Sequence, residues 1–321
     1  MKLLEKILVP VNFESRYESQ LELAIKVAQR FNSELILLHV LPTEAKAEKI
    51  KDLIVRSVQT EFEKLNKKVE KENVIAIPLI RYGNIFHQIM SVAEDENVNV
   101  IVIGNEMKPA KNGFGIGVLA EKLTRKSQKP VWVHRSDGRK EPEKLICPVD
   151  FSEASRRALN NALKIARIFS SRLYILNVFE PIGNLYSPRL NIDPKDLDAE
   201  REKENCEEFD DFLKEFNFSG VDYEVVQLKG DPYDKITEFI KEKTIDLMLI
   251  GATGKTVLSK ILLGNLTEQL ARDLSASLIT TKAENILNLK IDSDISDIQK
   301  HFDNAKKLEE NGYFTESIEQ L

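Results

Sequence analysis

Two stretches of this chain carry residue types that could hold a phosphate-bearing ligand. Gly251-Ala252-Thr253-Gly254-Lys255-Thr256 is followed, after further apolar residues, by Gly264-Asn265-Leu266-Thr267, so glycines recur as G-x2-G-x9-G. Glycine lets the backbone approach a ligand closely and take positive φ. Gly264-Asn265 opens a predicted helix, whose N–H groups and dipole favour an anion. Asn265 and Thr267 flank Leu266 and add side-chain donors. Lys255 either neutralises phosphate charge or is a solvated loop lysine. The other stretch is Pro148-Val149-Asp150, at the end of a predicted strand. Asp150 can accept hydrogen bonds from a ribose or base; the plainer role is a turn residue that caps the next helix.

An internal repeat dictates the elements that must position these residues. Lys6-Ile7-Leu8-Val9-Pro10-Val11-Asn12-Phe13 matches Lys144-Leu145-Ile146-Cys147-Pro148-Val149-Asp150-Phe151 at an offset of 138. Leu37-Leu38-His39-Val40 matches Ile175-Leu176-Asn177-Val178 at the same offset, and Gly83, Gly104 and Gly117 match Gly230, Gly251 and Gly264 at 147. The extra residues of the second copy fall in the turn-rich segment Pro181 to Pro194. In the second copy, strands are expected at Lys144 to Val149, Leu173 to Val178, Val221 to Leu228, Ile245 to Ile250 and Ser277 to Thr280. Helices are expected after Ser152, over Asp196 to Phe216, after Asp231-Pro232 and over Gly264 to Leu274. The first copy reads the same way and ends in the strand Val131 to His134. Alternation of this kind implies a parallel sheet with helices on both faces. Ligands of such open sheets bind beyond the carboxyl ends of the strands. Both stretches lie there, Gly251 following directly on Ile250.

A strand ending Pro-Val-Asp-Phe-Ser, then G-x2-G-x9-G after the fourth strand, then a helix and a short last strand resembles the universal stress protein family. The likeness covers residues 1–138 and 143–282, leaving 283–321 as an acidic linker and helical tail. The resemblance implies an α/β fold of two tandem domains, each an open five-stranded parallel sheet, Rossmann-like and adenine nucleotide alpha hydrolase-like. It also implies ATP, with Mg on its phosphates, in the copy that keeps the glycine loop. The carried-over site is Pro148, Val149, Asp150, Val178, Ile250, Gly251, Gly254, Lys255, Gly264, Asn265, Leu266 and Thr267. Asn265 stands where the family usually has Ser or Thr, which predicts weaker binding rather than loss. The first copy has Asn12 for the aspartate, Met107 for the second glycine and Val118 for the donor, so its site is degenerate. Pairing of the two final strands into an internal pseudo-dimer is implied as well, and a homodimer is left open.

Composition excludes several other readings. A net charge of -6 does not favour nucleic acid or an anionic membrane surface. No apolar run spans a bilayer. Two cysteines without metal spacing fit a reducing cytoplasm. Cys147, in a predicted buried strand, reads as core. The four histidines are scattered, without ligand spacing. Gly-Lys-Thr at 254–256 mimics a P-loop, but that motif needs a glycine where Leu249 stands. No nucleophile–base pair emerges, so slow ATP hydrolysis is the most that an enzymatic reading allows. The tail, with Ala305, Leu308, Gly312, Tyr313 and Ile318, is similar to one truncated tetratricopeptide hairpin, which would dock on its own body or on a protein partner. Two functional readings follow: a nucleotide-dependent regulator or stress-response factor, and a scaffold in which nucleotide is incidental.

Overall fold

A computed structural model of the protein describes residues 4–13, 17–42, 48–104, 108–110, 113–115, 117–135, 141–181, 194–251 and 276–281. The first half runs β1 (Lys6–Pro10), α1 (Glu18–Phe31), β2 (Glu34–Leu41), α2 (Glu48–Glu70), β3 (Ile75–Tyr82), α3 (Ile85–Asp95) and β4 (Val100–Gly104). A hairpin of β5 (Lys108–Ala110) and β6 (Gly113–Gly115) follows, then α4 (Val118–Lys126) and β7 (Val131–His134). The second half runs β8 (Lys144–Pro148), α5 (Glu153–Phe169), β9 (Arg172–Phe179), α6 (Pro194–Lys214), β10 (Tyr223–Lys229), α7 (Pro232–Lys243), β11 (Leu247–Gly251) and β12 (Ser277–Thr281).

Local chemistry sets the element ends. Ser152 caps α5 by accepting from the Ser155 N–H at 3.1 Å. Asp231 caps α7 by accepting from the Asp234 N–H at 3.0 Å, with Pro232 in the first turn, where its missing N–H costs nothing. One face of α5 buries Ala158, Ala162, Ile165 and Ala166, with Phe169 half-buried at its end. The strand expected from Ile245 begins instead at Leu247, because the Ile245 N–H still closes α7 on Ile240 O and Asp246 turns in to accept from two amides. The β5–β6 hairpin was not expected. In it Ala110 pairs with Gly113 and Pro109 with Phe114.

All ten main strands form one sheet in the order β10-β9-β8-β11-β12-β7-β4-β1-β2-β3. Neighbours within each half are parallel, and β12 meets β7 antiparallel with Leu278 opposite Val133, Ile279 opposite Trp132 and Thr280 opposite Val131. The expected meeting of the two final strands is therefore present. Alternate residues feed two cores. Val9, Leu37, Trp132, Leu249 and Ile279 pack under α1, α2, α5 and α6 on one face. Leu8, Ile36, Val131, Met248 and Leu278 pack with α3, α4 and α7 on the other. Such continuous apolar strands, buried on both faces, suit a parallel sheet. Among the described residues no helix is long and apolar enough to cross a membrane.

The seam is testable. Val133→Pro removes a ladder donor from the middle of the sheet, where proline is not tolerated. It is expected to lower Tm by about 5 °C or more. The emission of Trp132, the one tryptophan of the chain, should shift to the red. Unchanged melting and emission would contradict the seam.

Candidate functional site

The strand order within each half reverses between the first and fourth strands, at β1/β4 and β8/β11. That reversal opens a crevice at the carboxyl edge. The pairs Leu145–Leu247 and Ile146–Met248 bring Val149 and Gly251 to one level there. Pro148, Asp150, Val178 and Gly251 are partly exposed at this edge, while Val149 and Ile250 are buried beneath them. Six of the expected site residues thus converge. Gly254, Lys255, Gly264, Asn265, Leu266 and Thr267 lie outside the described residues, as do the helix expected over Gly264 to Leu274 and the C-terminal hairpin.

Gly251 is glycine for a steric reason. A Cβ there would lie 2.5 Å from the Ala154 carbonyl carbon and 2.7 Å from its oxygen. The end of β11 therefore touches the backbone of the first turn of α5. The turn between β8 and α5 is equally constrained. Asp150 Oδ1 accepts from the Ser152 hydroxyl at 2.6 Å and from its N–H at 3.2 Å. Ser152 in turn caps α5. Asp150 thus does not cap α5 itself, as its plainer expected role had it, but holds the cap residue Ser152, while standing part-exposed at the sheet edge. Between them Phe151 takes φ 60, rare for a bulky side chain. Its ring is buried against Phe209 and Phe212, at centroid distances of 5.8 and 5.4 Å.

Asn177 on β9 fixes the strand end from the other side. Its Nδ2 donates to Val149 O at 3.1 Å, and its Oδ1 accepts from Gln227 Nε2 at 3.3 Å. His39 does the same in the first half, with Nδ1 at 2.9 Å from Val11 O. The repeat aligned these two residues, and a polar residue inside an apolar strand was the available signal. Cys147 is a core residue, as expected: burial, with the nearby Asp150 charge, pushes its thiol far above the ordinary range. Among the described residues no cluster of His, Cys, Asp or Glu could hold a metal ion.

The first half builds its crevice differently. Gln20 on α1, 6% exposed, lies over Gly104, the counterpart of Gly251, with its Oε1 where a Cβ would go. Its Nε2 donates to Pro10 O at 2.6 Å. The second half has Ala158 at that position of the repeat. A glutamine amide therefore fills the first crevice where the second has only a methyl group.

A doubly wound α/β architecture, repeated in tandem, defines the class of protein. The chain belongs to the universal stress protein family, whose profile matches residues 4–135 and again 142–282. It is 30% identical over 144 residues to a universal stress protein of Methanocaldococcus jannaschii, covering 44% of this chain and 82% of that one. A universal stress protein from Archaeoglobus fulgidus shares the fold at a TM-score of 0.61 and 17% identity, over 86% of this chain and 96% of that one. A functionally unknown protein from Pseudomonas aeruginosa does so at 0.65 and 16%, over 89% and 95%.

Two outcomes follow from this geometry. Gly251→Ala forces a clash with helix backbone and is expected to cost about 2 kcal/mol. Gly104→Ala meets, among the described residues, the end of the Gln20 side chain and should cost about 1 kcal/mol, the Gln20 hydrogen bond. Denaturant unfolding of both variants checks the order, and a reversed order would contradict it. The second outcome concerns pH. The hydrogen bond from Arg156 holds the Glu215 carboxyl below its usual range. A lowered native value stabilises above the ordinary carboxylate range and is lost as pH falls through that lowered value. The stability gap between wild type and Glu215→Gln should be small, because the pair is partly exposed, and constant near neutrality. It should close on acidification; a gap that widens would contradict the pairing.

Proposed function

We propose that the second domain binds an adenine nucleotide, ATP with Mg, and that the chain acts as a nucleotide-dependent regulator. One observation carries the reading: the Asp150 turn, Val149, Val178 and Gly251 meet at the crevice edge beside the capped start of α5. A carboxylate suits ribose hydroxyls, and exposed backbone at strand ends suits the edge of a base. The glycine loop that continues from Gly251 supplies the anion-binding chemistry, through Gly254, Gly264, Asn265, Leu266 and Thr267, with Lys255 to offset phosphate charge. Mg would sit on the phosphates, since the chain brings no cation site of its own to this edge among the described residues. In the first domain Asn12 replaces the aspartate and Gln20 fills the crevice, which supports one nucleotide per chain. That filled crevice also favours a non-catalytic, partner-docking role for the first domain.

Calorimetric titration of Mg-ATP into the full chain tests this. One site per chain is expected, abolished by Gly254→Val and by Asp150→Ala. No binding to a nucleotide-free preparation would overturn the reading and leave the scaffold role.

A further inference from the structure

Helix α6 ends beside the Asp150 turn, and a single side chain ties the two together. Arg156 Nη1 donates to Phe151 O at 2.7 Å. Its Nε and Nη2 donate to Glu215 Oε2 and Oε1 at 2.7 and 2.9 Å, a two-pronged pair across 59 residues of chain. The guanidinium carbon lies 5.3 Å from the centroid of Phe212, and Nη1 also reaches Glu153 Oε1 at 3.3 Å. A planar, multi-donor fork can make these contacts at once; an ammonium cannot.

The contact to Phe151 O falls on a strained residue. A left-handed backbone is disfavoured at a bulky side chain, whose Cβ crowds the carbonyl oxygen. Such strain persists where surrounding contacts over-determine it, and it gathers at functional sites. Three contacts do so here. The Phe151 ring is wedged between Phe209 and Phe212, and Asp150 grips Ser152. Arg156 grips the carbonyl of Phe151 itself. The internal repeat offers a comparison within one chain. The copy with Asp150 has Arg156; the copy with Asn12 has Glu18 at the matching place, where no such grip on a carbonyl is chemically available.

We infer that Arg156 is a positioning residue for the nucleotide site, a clamp that presets the Asp150–Phe151–Ser152 turn and couples it to the end of α6. This rests on the nucleotide reading above. Arg156 need not touch the ligand. Its effect is that Asp150 meets the nucleotide already placed, so binding does not have to order the turn.

The test compares the full-length wild type with Arg156→Gln, Arg156→Lys, Glu215→Gln and the charge swap Arg156→Glu with Glu215→Arg. Mg-ATP affinity, thermal unfolding and amide exchange of Ser152 and Ser155 without nucleotide are measured on each. Arg156→Gln should weaken Mg-ATP about tenfold. Arg156→Lys should recover only part of that loss, and Glu215→Gln should lose less. The swap should restore stability but not affinity, because it places a carboxylate against the Phe151 carbonyl. Wild-type affinity in Arg156→Gln, or affinity restored by the swap, would overturn the inference and leave a plain ion pair. If the wild type itself binds no ATP, the nucleotide reading falls, and exchange decides the clamp separately. Faster exchange at Ser152 and Ser155 in Arg156→Gln supports it; unchanged exchange overturns it.

Discussion

The contact of Gly251 with the Ala154 backbone is the constraint from which the second domain's site follows. A strand end and a helix start can approach this closely only where no Cβ intervenes. Once they touch, the β8–α5 turn has little room. Asp150, Phe151 and Ser152 must turn within the span between the sheet edge and the first turn of α5. The left-handed Phe151 is the result. The strain is offset by burial of its ring under α6 and by the hydrogen bonds on either side.

The first domain dresses the same architecture with a different side chain. Gly104 is retained, and among the described residues the Gln20 side chain lies nearest to it. The amide then bonds the end of β1 and fills the crevice. The antiparallel β7–β12 seam has a further consequence. Strands within each half are parallel, so the carboxyl edges of the two halves face opposite edges of the ten-stranded sheet. The two crevices cannot share a ligand. The seam joins the domains through their cores, Val133 and Leu278 on one face and Trp132 and Ile279 on the other.

Much of this was legible in the sequence because it is periodic. The repeat offset gave the strand order its symmetry, and Val131 to His134 was read with the bounds the structure has. Asp231-Pro232 and Ser152 were legible as helix starts because capping is a local property of one side chain and the amides that follow it. Convergence of Pro148, Val149, Asp150, Val178, Ile250 and Gly251 was legible from the rule for open parallel sheets. Contacts between residues distant in sequence were not. The Arg156–Glu215 fork depends on where α6 ends, and Gln20 over Gly104 depends on how α1 crosses β4. The positive φ of Phe151 could not be read either, since nothing about phenylalanine signals a left-handed backbone. The β5–β6 hairpin could not be read either, since its strands are three residues each and too short to show a period.

The most direct measurement is a crystal structure of the full chain grown with Mg-ATP. The account predicts one nucleotide per chain, with its ribose at Asp150 and its phosphates over the loop that leaves Gly251, and Gln20 still seated on Pro10 O. A nucleotide at Asn12 and Gly104, with Gln20 displaced, would contradict it.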